Sequence, residues 1–212
     1  MSSFEFVKGL TMSCRNFALP LLLLCLWGLW EEGAQACTCF PQHRQQLFCQ
    51  KDVVVMRAKV VGVTPGVGAT PTKYDIKQRK IFNGAEKIFG AVYTNSHSVA
   101  CGVTLTKGVE YLLLGRLHFD GSLHIQVCDI NQPWEALSAA QKSLLYRYGE
   151  GCDCEIKLCI SYPCCITKPT ECLWTGFQLG AFGNPDQELN SACIKKGDGC
   201  FWERGVAGPQ SG

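Results

Sequence analysis

The sequence predicts a mainly β protein: a small barrel of about five strands closed by a helix, followed by a small lobe stapled by disulfides. Three observations predict it. An apolar start ends in a small-residue cleavage pattern before Cys37. Residues 37–151 then hold five cysteines among long β-branched runs, which can build an apolar core. Residues 152–200 hold eight cysteines in forty-nine positions, too small a piece to stand without covalent links.

The apolar run "LPLLLLCLWGLW" (19–30) is too short to span a bilayer and suits the core of a signal peptide. Lys8 and Arg15 give it a positive flank, and Ala34 and Ala36 sit at −3 and −1 of a cut before Cys37. Residues 1–36 are therefore read as a signal peptide and the protein as secreted, in the extracellular space or matrix. A short membrane anchor and a lipoprotein signal fit less well, the latter because Ala34 and Gln35 suit lipid modification poorly. Met12 is a second candidate start.

"DVVVMRAKVVGV" (52–63) reads as a long strand, "TPGVGATPT" (64–72) as a loop, and "KYDIKQRKIF" (73–82) as a half-buried strand. "GVTLTKGVEYLLLGRLHF" (102–119) reads as two strands around Lys107-Gly108, and "HFDGSLHIQVCDI" (118–130) as a hairpin turning at Asp120-Gly121. A helix follows. Ser138 and Gln141 make a capping box, Leu144, Leu145 and Tyr148 continue one face, and Gly149 and Gly151 end it. Beyond it, "CISYPCC" (159–165) is a tight loop, Lys196-Gly197-Asp198-Gly199 a hairpin turn, and "GVAGPQSG" (205–212) a disordered tail. The expected boundaries are signal 1–36, barrel domain 37–152, and cysteine-rich domain with tail 153–212.

Cys14 and Cys25 leave with the signal, so thirteen of fifteen cysteines remain. In an oxidising compartment these pair, and the odd count leaves one thiol or one intermolecular bridge. "CDCEIKLC" (152–159) could be read as a zinc site, but its spacing fits no common closed one.

The net charge of +2 calls for neither nucleic acid nor an anionic membrane as the main partner. The four histidines, His43, His97, His118 and His124, fall in no metalloprotease or hydrolase motif. His118 and His124 flank the predicted turn. A two-residue loop would point them to opposite faces and a three-residue loop would set them across from each other; two partly exposed strand histidines is the reading adopted. No catalytic set emerges, so the chain reads as a binding protein and not an enzyme.

After cleavage Cys37 carries a free α-amine, whose ordinary pKa of about 7.7–8.0 leaves a useful neutral fraction. That nitrogen and the Cys37 carbonyl oxygen can close a five-membered chelate on a zinc with an open position. Displacing the zinc-bound water removes the nucleophile of a hydrolase. Bridges from Cys37 and Cys39 to distant cysteines would clamp an otherwise floppy terminus, moving its ordering cost from binding to folding. The bland alternative is a Cys-Thr-Cys that only staples the barrel.

The mature start "CTCFPQHRQQLFC", with "VVVMRAKVVG", "ACGVTL", "PWEALSAAQKSLLYRYGEGC" and "ECLW…ACIKKGDGCFWERG", resembles the tissue inhibitors of metalloproteinases, from residue 37 to about 206. The resemblance implies an OB-type, netrin-like five-stranded barrel and a small disulfide-rich C-terminal subdomain. It implies bridges Cys37–Cys101, Cys39–Cys128, Cys49–Cys152, Cys154–Cys200, Cys159–Cys164 and Cys172–Cys193. It implies that Cys37 chelates the catalytic zinc of a matrix metalloproteinase or related zinc endopeptidase. That zinc is the target's; the inhibitor has no cofactor of its own. Thr38 is then expected in the primary specificity pocket, with Cys39, Phe40 and Pro41 along the cleft. Ser98, Val99 and Ala100 are expected on its other side.

The chain departs from the family pattern at several points. Phe40 is bulkier than usual, Arg44 replaces a familiar proline, and the 64–72 loop is short. Pro-gelatinase or matrix contacts through the C-terminal domain are a further family property, but the tail lacks the acidic end that helps some members hold a pro-gelatinase. Cys165 has no counterpart among the twelve paired cysteines and is expected to be a buried free thiol, with competition for Cys159 or an interchain bridge as alternatives. A non-inhibitory netrin-like module that binds matrix or a receptor is the alternative function.

Overall fold

The computed structural model describes residues 37–97, 100–177 and 183–206. The segment read as a signal peptide (1–36), Ser98, Val99 and the tail from 207 lie outside the described residues. Strands β1 (Val53–Thr64), β2 (Thr72–Asn83), β3 (Ala91–Thr94), β4 (Glu110–Leu117) and β5 (Leu123–His124) close into a ring. The order is β1-β2-β3-β5-β4, and β4 pairs back onto β1. The pairings are antiparallel except β3 with β5, which meet in parallel at Tyr93 and His124. A short β6 (Asn131–Pro133) pairs with Tyr111–Leu113 of β4, beyond the stretch that β5 takes.

Closure explains the apolar runs. Strands β1 and β4 are covered on both faces, so "VVVM" and "YLLL" are buried without alternation. Inside the barrel, Val54, Met56, Val60, Val92, Leu113 and Ile125 pack together. Outside it, Val53, Val55, Leu112 and Leu114 meet Leu144, Leu145 and Tyr148 and two residues of a short helix, Leu47 and Phe48.

That helix, α1 (Arg44–Phe48), escaped the sequence reading because it has only five residues. A capping box closes its N-terminus: His43 accepts from a backbone N–H of the first turn, and Gln46 accepts from the His43 N–H. Arg44, where the family pattern has proline, opens it at a position whose N–H needs no intrahelical partner. The second helix, α2 (Ala139–Leu144), starts at the expected box of Ser138 and Gln141. It does not run on to the glycines: it stops at Leu144, and Tyr148–Gly151 is a separate 3-10 turn containing Gly149 and Gly151.

Two strand expectations also need correction. Residues 102–106 form no strand, because side chains replace the ladder. Tyr74 Oη donates to Val103 O (3.1 Å) and accepts from Leu105 N (3.2 Å), Thr94 Oγ1 accepts from Val103 N, and Tyr111 Oη accepts from Thr106 N. The strand that fills the ring instead is β3, whose four residues are too short for a periodic signal.

In the C-terminal segment, β7 (Glu155–Leu158) pairs in parallel with β8 (Glu171–Trp174). Helix α3 (Pro185–Asn190) leads into β9 (Ser191–Lys196), which turns through Gly197-Asp198 into β10 (Gly199–Arg204) as the sequence predicts. Gly197 sits at φ 58°, the left-handed region that such a tight turn requires. The local core is Ile156, Cys172, Trp174, Cys193 and Cys200.

Strand β9 also joins this segment to the barrel. Ala192 and Ile194 pack into the cluster around Leu112 and Leu144. The buried Gln45 side chain forms a two-way clamp: Nε2 donates to Cys193 O and Oε1 accepts from Cys193 N, both at 2.7 Å. Gly151 must lack a side chain here, because a Cβ would lie 1.8 Å from Cys193 O.

Candidate functional site

Six disulfides are present among the described residues: Cys37–Cys101, Cys39–Cys128, Cys49–Cys152, Cys154–Cys200, Cys159–Cys164 and Cys172–Cys193. They are the pairs that the resemblance implies. The zinc reading of "CDCEIKLC" fails, because Cys152, Cys154 and Cys159 are each tied to another sulfur. Two groups of sulfur atoms, Cys37/Cys39/Cys128 and Cys154/Cys193/Cys200, lie within 4.8 Å. Both are neighbouring disulfides with no thiolate to offer a metal. Cys165 is the one free cysteine among the described residues, and it is exposed, not buried as expected. The segment between 160 and 169 has no buried residue, so no pocket encloses it.

Segment 37–41 is a short extended ridge. Cys37 is half-buried, while Thr38, Cys39, Phe40 and Pro41 are exposed, Phe40 at 75% of its surface. An unpaired chain end with this much exposure would be mobile. Here two bridges hold it from below, spanning 64 and 89 residues of sequence. They lie side by side, with Cys37 Sγ 3.9 Å from Cys128 Sγ. Their anchors are themselves joined, since Val127 N donates to Cys101 O at 3.0 Å.

Around Cys101 the chain folds tightly. Ala100 N and Gly102 N both donate to His97 O, and Asn95 Nδ2 donates to Ala100 O. Cys101 takes φ 64°, a conformation that costs a non-glycine residue on the order of 1 kcal/mol. Gly102 is required, since a Cβ there would lie 2.3 Å from Asn95 O. Ala100 is exposed beside the bridge to Cys37. Loop 65–71 reaches the same region, where Ser96 Oγ donates to Gly68 O at 2.7 Å. A groove of about 450 Å³ flanks the ridge, lined by Phe40, Pro41, Arg44, Leu47, Val127 and Ile130 among others.

No histidine lies in the exposed 37–41 segment itself. His118 N donates to Ser122 O, so the hairpin loop is three residues long. The two imidazoles consequently share one face, at diagonal positions since His124 itself pairs with Arg116, and stack at 3.8 Å. Desolvation, then the charge of His118, pushes the His124 pKa down. His43 is fully buried at the base of the ridge, against Trp174 and Trp202. Its Nε2–H donates to Gln187 O (2.8 Å) and its Nδ1 accepts from Gln45 N. Burial drives its pKa down to about 4, with the Arg44 charge adding to the effect and the Gln187 bond opposing it. Sequence reasoning missed this residue's role, because a buried histidine beside a cystine-clamped end leaves no periodic trace.

A rigid, exposed segment braced on an OB-type barrel, with no catalytic constellation among the described residues, defines a class: a protein that presents a fixed edge to a partner. The comparisons give the family. The family model described as Tissue inhibitor of metalloproteinase matches residues 35–202. Metalloproteinase inhibitor 2 of Cavia porcellus is 44% identical, covering 95% of this chain and 96% of its own. That of Homo sapiens is 44% identical, covering 93% and 94%. That of Gallus gallus is 39% identical, covering 91% and 94%. The chain belongs to the tissue inhibitor of metalloproteinase family, whose members are inhibitors and not enzymes. No helix among the described residues is long and apolar enough to cross a membrane.

Proposed function

We propose that this chain is a secreted, stoichiometric inhibitor of matrix metalloproteinases and related zinc endopeptidases, acting through the Cys37 amine and carbonyl on the target's zinc. The observation that carries the reading is the pair of bridges under an otherwise exposed 37–41 segment. Once the signal is removed, the amine and carbonyl of Cys37 fill the open zinc position that water occupies in the free protease. Because sulfur already fixes the segment, little ordering entropy is lost on docking, which favours tight binding. Thr38 enters the specificity pocket beside the metal. Cys39, Phe40 and Pro41 follow the cleft on one side and Ser98, Val99 and Ala100 occupy the other. The ridge lies in the cleft as a substrate would, yet it offers no peptide bond in line for attack.

Titration of a matrix metalloproteinase with the mature protein, beside a form extended by one N-terminal alanine, tests the mechanism. The extension blocks the chelate and is expected to weaken inhibition on the order of a thousandfold, about 4 kcal/mol. Equal inhibition by both forms would rule the chelate out. Thr38→Gly empties the pocket and is expected to cost roughly tenfold, about 1.4 kcal/mol; unchanged inhibition constants across several proteases would contradict that role.

A further inference from the structure

The hairpin between β4 and β5 brings two imidazoles together outside the ridge. His118 and His124 stack with centroids 3.8 Å apart and planes 14° from parallel. His118 is exposed, and its ring makes no hydrogen bond among the described residues. His124 is half-buried and stacks as well on Tyr93, at 5.6 Å. A short relay fixes the His124 tautomer. The Asp120 carboxylate accepts from the Ser122 backbone N–H at 2.9 Å and from the Ser122 hydroxyl at 2.6 Å. A hydroxyl has one proton to donate, and here it goes to Asp120. Ser122 Oγ therefore accepts from His124 Nε2–H, 2.9 Å away. The neutral ring is left with its lone pair on Nδ1, which has no hydrogen-bond partner among the described residues. Histidines that ligate metals are held in this way, one nitrogen hydrogen-bonded and the other left basic.

Both rings line a cavity of about 260 Å³. Asn95 and Gln126 line it too, each with an amide oxygen that has no partner among the described residues. Asn95 is the residue whose Nδ2 bonds Ala100 O beside Cys101, and Ala69 and Pro71 of loop 65–71 border the same space.

We propose that His118 and His124 form a site for a divalent transition-metal ion that favours imidazole, such as Zn²⁺ or Cu²⁺, separate from the zinc of a target protease. Imidazole nitrogen suits these ions, whereas Mg²⁺ and Ca²⁺ take oxygen ligands. Two metal–nitrogen bonds of about 2.0–2.1 Å together reach across at most about 4.2 Å. Rings stacked at 3.8 Å can bring facing nitrogens within that reach. Nearly parallel rings do not aim their lone pairs at one point, so one ring must turn. His118 is the ring able to do so, being exposed and without a hydrogen bond, while Ser122 and Tyr93 hold His124. Water and the amide oxygens complete the coordination. An ion there links the ends of β4 and β5 next to the turn that braces Cys101.

The test is calorimetric titration of the full mature protein with Zn²⁺ at neutral pH. One ion is expected to bind, and a hundredfold excess over its dissociation constant should raise the thermal midpoint by about 5–10 °C. Cu²⁺ should bind more tightly, and Mg²⁺ should give neither signal. His118→Gln, a change at an exposed position, is expected to weaken Zn²⁺ binding on the order of tenfold or more. Ser122→Ala, which releases the His124 tautomer, is expected to weaken it about tenfold. Cys165→Ser and the form extended by one N-terminal alanine should bind Zn²⁺ as the parent does. His118→Gln should inhibit a metalloproteinase as the parent does, so this site and the Cys37 chelate stand or fall separately. Absence of both heat and midpoint shift overturns the proposal. So does undiminished binding by His118→Gln. A loss confined to Cys165→Ser or to the extended form also overturns it, placing the ion on the thiol or on the Cys37 amine.

Discussion

The barrel and the C-terminal segment solve the same problem by different means. The barrel interior is built mainly from apolar side chains, with Val54, Met56, Leu113 and Ile125 almost wholly buried. In the C-terminal segment three of the five residues of the local core are half-cystines. A piece that small buries too little apolar surface to offset its chain entropy, so covalent links take the place of side-chain volume. The ridge borrows the second strategy inside the first region: segment 37–41 has almost no burial and is held by sulfur.

The sharpest way to break the comparison is to exchange the vulnerabilities. Replacing Cys154 and Cys200 together by serine removes a bridge spanning 46 residues and is expected to cost about 4 kcal/mol in the chain-entropy model. Hydrogen exchange should localise the loss to β7–β10 and leave β1 and β4 protected. Leu113→Ala should do the reverse, costing about 3 kcal/mol through a cavity inside the barrel, with exchange rising across β1, β2 and β4. If either variant opens both regions alike, the two are one cooperative unit.

A subtler effect lies at the seam. His43 has its pKa lowered to about 4, against about 6.5 unfolded. Between those values the unfolded chain binds the extra proton, so stability rises with pH. The contribution is whole above about 6.5 and is lost as pH falls to about 4, at roughly 1.4 kcal/mol per pH unit for one fully differential proton. Thermal midpoints of the parent should fall over that window, and those of His43→Gln should be flatter. Smallest is Gln45→Ala, which strips both partners from Cys193 and is expected to cost about 2 kcal/mol. That loss should fall mainly on the contact between β9 and the barrel, visible as faster exchange at Cys193.

The features legible from sequence were those with a local cause. The β-branched run of β1, the box at Ser138 and Gln141 and the Gly197-Asp198 turn each carry their reason within a few residues. What escaped depends on distant partners. Residues 102–106 look like a strand until Tyr74 and Tyr111 supply their hydrogen bonds. Helix α1 is short and stands because His43 and Gln45 are buried against the C-terminal segment. The ridge was legible from Cys37, Thr38 and Cys39 beside a cleavage pattern. So was its clamping by sulfur, but the tight fold at Asn95, His97 and Gly102 that braces it was not, because that fold has no sequence signature. The exposure of Cys165 was equally hidden, since nothing in "CISYPCC" says which way the loop faces.

The layout of the first three cystines bears on how long such a molecule lasts among proteases. Cys37, Cys39 and Cys49 all lie before the exposed loop 65–71, and their partners Cys101, Cys128 and Cys152 all lie after it. A single cut in that loop would therefore yield two polypeptides still fastened at three points, with the leading edge in place. Nicking there should leave a working molecule, and only a reductant following the cut would release the pieces.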